Sequence, residues 1–548
     1  MKSFVCTFFS LLLPFCGFSQ SFTPQTRPNT PPKLVVGIVV DQMRYDYLMR
    51  YWNKFGEGGF KRLVSEGLNC ENTHYNYVPT YTGPGHAAVY SGTTPAYNGI
   101  VANDWYSREE NKMVYCAEDL SVSAVGGNVL AGGMSPKRLM SSNISDELRL
   151  ASGNKSKVIG IAIKDRGAIL PAGHTPNAAY WFDGRSSGNW MTSTYYMPDL
   201  PQWVKDFNAK GKAQEYLKKP WETLLPIEKY TESTTDDTQY EGLFRGETQP
   251  VFPHNLPEIA KIVGVGLLAA TPFGNSLTAE FAKAAIEGEQ LGKDEYSDLL
   301  AVSFSSTDYV GHQFGTAAIE TEDTYLRLDQ DLATLLVYLD KNIGKKDYLV
   351  FLTADHGGAY NTTYLTDNRI PANNYRLDSI RPKLEQHLKP FYGDSLVLAM
   401  TNDQVYFNHA KVKQLRLNAK ELEEKAIAFL METEGVTGVL RGYDLANQDY
   451  SEKTNLKIKN GFLPSRSGDL VIKFAPGWLE YGKTGTTHGS YYNYDSHVPL
   501  LWYGWKIPKG TVTEMRKITD IAPTLSFILN IPLPNASTGE PIQTILQH

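Results

Sequence analysis

Cysteine is scarce in this chain, with 4 among 548 residues. Cys6 and Cys16 fall within the first nineteen positions, so Cys70 and Cys116 are the pair left to the body of the protein. Two cysteines so separated, without near neighbours, exclude a cysteine-ligated zinc module and a dense disulfide scaffold. In an oxidising compartment they can pair, bracing the segments that flank residue 82, or remain two buried thiols; both readings stay open. An excess of one charge sign is missing too. A net charge of −6 and an isoelectric point near 6.0 argue against nucleic acid or an anionic membrane as partner, though not against an anionic small molecule at a local cation site. No internal repeat is visible. Long apolar runs are absent, and the nearest approach is at the start, where Lys2 precedes Phe4 to Leu13. That is the charged start and short apolar stretch of a secretory signal peptide, residues 1–19, with Gly17-Phe18-Ser19 suited to cleavage before Gln20. The run is too short to span a bilayer comfortably, and Leu13-Pro14-Phe15 is too bulky ahead of Cys16 for lipid attachment. The protein is expected in the periplasm or secreted, without membrane insertion.

What is present is an α/β pattern. After a proline-rich linker, residues 20–32, the run Leu34 to Val40 is continuously apolar and β-branched, as in a parallel strand buried on both faces. Similar strands are expected at 157–163, 299–304 and 348–354, with helices at 141–152, 276–287 (Ser276 as N-cap) and 321–339 between them. The expected architecture is a central, mostly parallel sheet with helices on both faces, built from residues 33–548. Insertions are expected at about 185–246, where Ser, Thr, Tyr and Trp cluster, and at about 367–468.

The stretch Tyr81-Thr82-Gly83-Pro84-Gly85-His86 organises the rest. Pro84 suits a first helical turn, and the free N–H groups of a helix start attract phosphate or sulfate. Thr82 would then aim its hydroxyl at that anion; Thr80 is the alternative, two residues further from the helix. Either hydroxyl needs a base or a metal to become a nucleophile. Asp41, Asp308 and Asp355 stand at or just beyond the ends of predicted strands, the edge where α/β sheets bind ligands. Each alone could be a helix cap. Their company changes the reading: His312 lies one helical turn after Asp308, His356 follows Asp355, and His488 sits in a glycine-rich loop. Carboxylates and imidazoles together form a ligand set that zinc accepts, and two such groups suit a phosphoryl transfer. His74, His86 and His497 lie near the same loops and are expected to brace neighbours instead. Lys164 and Arg166 end the second buried strand and, if it continues, point the same way as a clamp for phosphate oxygens.

In their order these motifs resemble those of the alkaline phosphatase superfamily, most nearly the secreted bacterial zinc phosphatases of the PafA type, which use a threonine nucleophile. The resemblance runs from about residue 33 to the C-terminus. It implies one zinc on Asp308, His312 and His488, and a second on Asp41, Asp355, His356 and the Thr82 hydroxyl. It further implies attack by Thr82 on phosphorus, a covalent phosphothreonine, and its hydrolysis by zinc-activated water. Asn103, Lys164 and Arg166 match the residues that grip the phosphate of a monoester substrate in this group; related diesterases lack the Lys-x-Arg pair. Lys164 also stands where longer-studied alkaline phosphatases hold magnesium, so two zinc ions are the expected cofactors. The alternatives are a nucleotide or lipid phosphodiesterase of the same superfamily, a metal-dependent phosphoglycerate mutase, opposed by the signal peptide, and a zinc-bearing surface protein without catalysis. Gly477 to Thr484 fits a P-loop string, but its bulky variable positions and the poor helix start after it speak against one. The sulfatase signature around a convertible Cys or Ser is absent.

Overall fold

A computed structural model describes residues 30–393 and 395–547. The expected signal peptide and most of the linker at 20–32 lie outside the described residues. Ten strands form the central sheet: β1 (Leu34–Val40), β2 (Leu68–Cys70), β3 (Ala124–Val125), β4 (Val158–Ala162), β5 (Ala178–Phe182), β6 (Trp190–Ser193), β7 (Asp298–Phe304), β8 (Tyr348–Thr353), β9 (Leu500–Gly504) and β10 (Gly510–Val512). Their spatial order is β10-β2-β9-β8-β1-β7-β4-β5-β6-β3. The run β8-β1-β7-β4-β5 is parallel throughout, and β9 and β6 continue it antiparallel on either side. β1 is buried at every position, which is why its sequence shows no polar alternation.

Helices cover the sheet: α1 (Thr82–Ser91), α2 (Asp165–Ala172), α3 (Phe273–Gly288), α4 (Ser306–Phe314) and α5 (Ile319–Asn342). The expected helix at 141–152 runs from Ile144 to Ala151 behind a capping box made by Asn143 and Asp146. Ser276 does not cap α3. The helix begins at Phe273, one turn earlier, and the Ser276 hydroxyl donates to Asp331 Oδ2 at 2.8 Å from within it.

Residues 185–246 begin with β6, a strand of the sheet itself, and their later loops are tied to the N-terminal part of α5. Asp323 there accepts from Trp221 Nε1, Leu224 N, Tyr230 Oη and Arg327 Nε at 2.6–2.7 Å. Residues 367–468 supply most of a separate four-stranded antiparallel sheet (Val397–Thr401, Gln404–Phe407, Leu470–Phe474, Val436–Arg441 in spatial order) with its own apolar core against α6 (Leu377–Tyr392) and α7 (Ala419–Met431). The segment after Gly477 enters no helix, as a P-loop would require. Cys70 in β2 and Cys116 are both free and buried, so the pairing left open by the sequence is not made.

Candidate active site

The carboxyl edge of the parallel strands sets three acids side by side. Asp41 directly follows β1, Asp355 comes two residues after β8, and Asp308 stands in the first turn of α4 behind β7. All three are buried. His312, one turn along α4, brings Nε2 to 3.2 Å from Asp308 Oδ1, and His488 Nε2 reaches 3.4 Å from the same oxygen. His356 Nε2 lies 3.5 Å from both Asp41 Oδ1 and Asp355 Oδ2, and its ring stacks on that of His488. Each imidazole spends Nδ1 on a backbone carbonyl: His312 on Thr486 O at 2.7 Å, His488 on Thr80 O at 2.7 Å, His356 on Gly357 O at 2.8 Å. A carbonyl only accepts, so Nδ1 carries a proton, and in the neutral ring Nε2 is left with the lone pair.

The electrostatics of this cluster are costly without a cation. Burial, with Asp308 nearby, raises Asp41 to about 6 against the pull of Lys164. Burial and Asp41 push Asp355 well above the carboxylate range. Burial would raise Asp308 as well, but His312 and Lys164 hold it well below. Burial, then His488, keeps His356 neutral far below its ordinary value. Asp41 Oδ1, Asp355 Oδ2 and His356 Nε2 are buried with no hydrogen-bond partner. Orphaned acceptors of this kind, packed with lone-pair nitrogens, fit a divalent cation. Two compact ligand groups result, Asp308-His312-His488 and Asp41-Asp308-His356, with Asp355 at the edge of the second.

Thr82 is the first residue of α1 and is buried. The close approach of α1 to Asp355 depends on Gly85, where a Cβ would come within 2.4 Å of Asp355 O. Lys164 Nζ and Arg166 Nη2 donate to Thr82 Oγ1 at 3.3 and 3.4 Å. The two cations converge for a reason other than strand alternation: β4 ends at Ala162, Lys164 is the N-cap of α2 and Arg166 lies in its first turn. Lys164 Nζ also bridges Asp41 Oδ2 at 2.7 Å and Asp308 Oδ2 at 2.5 Å, so an ammonium fills the space beside both acids. Asn103 Oδ1 accepts from Gly83 N at 2.7 Å, which leaves its amide protons for an anion at the helix start. Outward from Lys164 and Arg166 opens a groove of about 550 Å³, lined by Tyr115, Leu130, Trp181 and Arg185 among others.

Thr80 is drawn away from this centre. Its hydroxyl donates to Ser490 O and its carbonyl holds His488. His86 braces α1, with Nδ1 on Thr82 O and Nε2 on Ser303 Oγ. His74 and His497 stack on each other in a small peripheral sheet. Two residues of the site have no sequence signal. Tyr115 accepts from Arg166 Nη1 at 3.1 Å. Gln42 donates Nε2 to Asp308 Oδ1 at 2.7 Å and its backbone N–H to Asp355 Oδ1 at 3.1 Å.

Residues 35–498 match the type I phosphodiesterase / nucleotide pyrophosphatase family. A Myroides odoratus protein named calcium-transporting ATPase is 47% identical over 98% of this chain and 99% of its own. Alkaline phosphatase PafA of Elizabethkingia meningoseptica is 43% identical over 94% of both chains. The crystal structure of wild-type PafA superposes with a TM-score of 0.92 at 42% identity, covering 95% of this chain and all of that one.

Proposed function

The chain belongs to the type I phosphodiesterase / nucleotide pyrophosphatase family, within the alkaline phosphatase superfamily beside PafA, and on that footing we propose that it cleaves phosphate monoesters through Thr82. It is a phosphoric monoester hydrolase of the alkaline phosphatase kind. The observation that carries the assignment of roles is the convergence on Thr82 Oγ1 of Lys164 and Arg166, at 3.3 and 3.4 Å.

The substrate phosphate docks at the start of α1. Arg166 and the Asn103 amide take its non-bridging oxygens, and Lys164 adds charge between Asp41 and Asp308. A monoester carries more charge on those oxygens than a diester, so this dense clamp favours it. Asp308, His312 and His488 would hold one zinc ion, and Asp41, Asp355 and His356, with the Thr82 hydroxyl, would hold the other. Bound there, the two ions would supply Lewis-acid charge that favours an ionised Thr82 hydroxyl and stabilises the departing oxygen. The hydrogen-bond partners of Thr82 Oγ1 are both cations. They stabilise an alkoxide and cannot serve as its base. The Thr82 hydroxyl proton passes to solvent, Thr82 Oγ bonds to phosphorus as the ester P–O bond breaks, and the leaving alkoxide takes a proton from water to depart as the alcohol. Water then cleaves the phosphothreonine, returning Thr82 and inorganic phosphate. The organic part of the ester extends into the groove by Tyr115 and Arg185. Export to the periplasm or medium fits an enzyme that releases phosphate outside the cytoplasm.

The phosphodiesterase reading has the family name in its favour and the Lys164–Arg166 clamp against it. The ATPase in the name of the Myroides relative needs no different chemistry, since release of a terminal phosphate from ATP follows the same steps; among the described residues no helix is long and apolar enough to cross a membrane. The test is kcat/KM of the zinc-loaded protein for an aryl phosphate monoester and for its methyl diester, repeated with Arg166→Ala. A strong monoester preference that falls roughly 10²–10³-fold in the variant is expected. Diester preference, or indifference to Arg166, would move the phosphodiesterase reading ahead.

A further inference from the structure

Gln42 occupies a position that a glutamine has little reason to fill. Its backbone is in the left-handed region, with φ at 61°, where a residue with a long side chain is strained and where the surroundings must hold it. It is buried, and so is its neighbour Asp41. The side chain runs over Gly311 in α4, where a Cβ would come within 2.0 Å of Gln42 Oε1; any larger residue there would expel it. Its Nε2 donates to Asp308 Oδ1 at 2.7 Å, the oxygen that His312 and His488 also face. Only the amide nitrogen can face a carboxylate favourably, so the amide orientation is fixed by its partner. Its backbone N–H donates to Asp355 Oδ1 at 3.1 Å, which leaves Oδ2 turned toward His356. Its carbonyl accepts from Tyr325 Oη at 3.3 Å, fastening the turn to α5.

We infer that Gln42 is a positioning residue that aims one acid of each zinc group, through two different donors. The inference rests on the metal-site reading above. The amide side chain orients Asp308 for the group with His312 and His488, and the main-chain N–H orients Asp355 for the group with Asp41 and His356. The left-handed turn after Asp41 is what allows one residue to reach both. Because the two donors are chemically separate, they can be removed separately. Loss of the side chain frees Asp308, which two imidazoles of the first group face and which also borders the second, and leaves the N–H on Asp355 in place, so it weakens the first ion more than the second. Outer hydrogen bonds to ligands typically govern metal affinity by roughly 10–100-fold.

The test is competitive zinc titration of the full protein against a chromophoric chelator, with Gln42→Ala, Gln42→Glu and Gln42→Asn, together with the melting temperature of each metal-free protein. Wild type is expected to hold two ions tightly. Gln42→Ala should lose at least about tenfold more affinity at one ion than at the other, with an unchanged metal-free melting temperature. Gln42→Glu, which sets a carboxylate against Asp308, should be weaker again at the same ion. Gln42→Asn keeps an amide and a residue tolerant of positive φ, so it reports on a well-folded variant whose amide falls short of Asp308; it should resemble Gln42→Ala. Unchanged affinity for both ions in Gln42→Ala and Gln42→Glu would overturn the inference and leave the phosphatase reading intact. So would an equal loss at both ions with a lowered metal-free melting temperature, which is the signature of a merely structural residue. Failure of wild type to bind zinc would overturn both.

Discussion

At the scale of single residues, the proposed function divides labour between side chains that would meet the phosphate and those that would hold the ligands. Thr82 belongs to the first kind and Thr80 to the second, although only one residue separates them. Thr82→Ala is therefore expected to lose roughly 10⁴-fold or more in kcat. Thr80→Ala, which removes only a hydrogen bond to Ser490 O, should stay within about tenfold of wild type; the opposite pattern in steady-state kinetics would exchange their roles. Most of these residues were legible because their chemistry leaves a mark in one dimension. Asp308 and His312 are a helical turn apart, His356 adjoins Asp355, and Asp41 ends an unbroken apolar run. Gln42 leaves no such mark. Glutamine is not a residue that announces a left-handed turn, and its pocket depends on Gly311, far away in sequence. The Cys70–Cys116 question was equally unreadable, since pairing depends on distance in space alone; Cys70 lies in an outer strand, and Cys116 packs behind Gly83.

At the scale of elements, the parallel strands do the positioning and α5 does the fastening. Its first turn carries Glu320 and Glu322, which suit a helix N-terminus, Asp323 follows them, and each reaches out to another segment. Asp323 gathers the four donors from Trp221, Leu224, Tyr230 and Arg327. Asp323→Ala should leave several of them buried and unpaired and cost about 3 kcal/mol in urea unfolding. Glu320 and Glu247 flank the buried His254, whose Nε2 and Nδ1 lie 3.2 and 2.8 Å from them. Burial alone would lower His254, but these two carboxylates hold it up at about 9. A folded-state value above the ordinary 6.5 stabilises the fold fully below pH 6.5, and the contribution fades as pH rises through 9. Glu241, raised to about 8 by burial and by Glu320, acts in the same sense, because its ionisation is disfavoured only in the folded state. Melting temperature should thus fall between pH 6.5 and 9, and His254→Gln should flatten that slope. Strand and helix positions were readable from apolar periodicity. Helix starts were less so: Ser276 looks like a cap, yet Pro272 and Phe273 begin α3 a turn earlier. The Lys164–Arg166 clamp was readable as a pair and not as a geometry, since the strand expected to align them gives way to a helix.

At the scale of the whole molecule, three buried acids and three imidazoles meet at one sheet edge, and the fold surrounds them with segments from nearly the full chain length. Such a centre stabilises the protein only when its charge is balanced. Ligand linkage raises stability by about 4 kcal/mol when free metal exceeds its dissociation constant a thousandfold. Chelation should therefore lower the melting temperature and abolish turnover. Zinc should restore both, and magnesium should add nothing, because the Lys164 ammonium already spans Asp41 and Asp308. The large-scale sheet order and the separate sheet within 367–468 were only outlined by the sequence, since strand pairing across such distances has no local signature. The covalent role of Thr82 is tested most directly by acid quenching during turnover of an aryl phosphate monoester, followed by peptide mass spectrometry. One phosphoryl group on the peptide that contains Thr82, at Thr82 itself and absent from Thr82→Ala, is the predicted result. Substrate turnover with no phosphorylated Thr82 at any quench time, or a phosphoryl group on Thr80 instead, would contradict it.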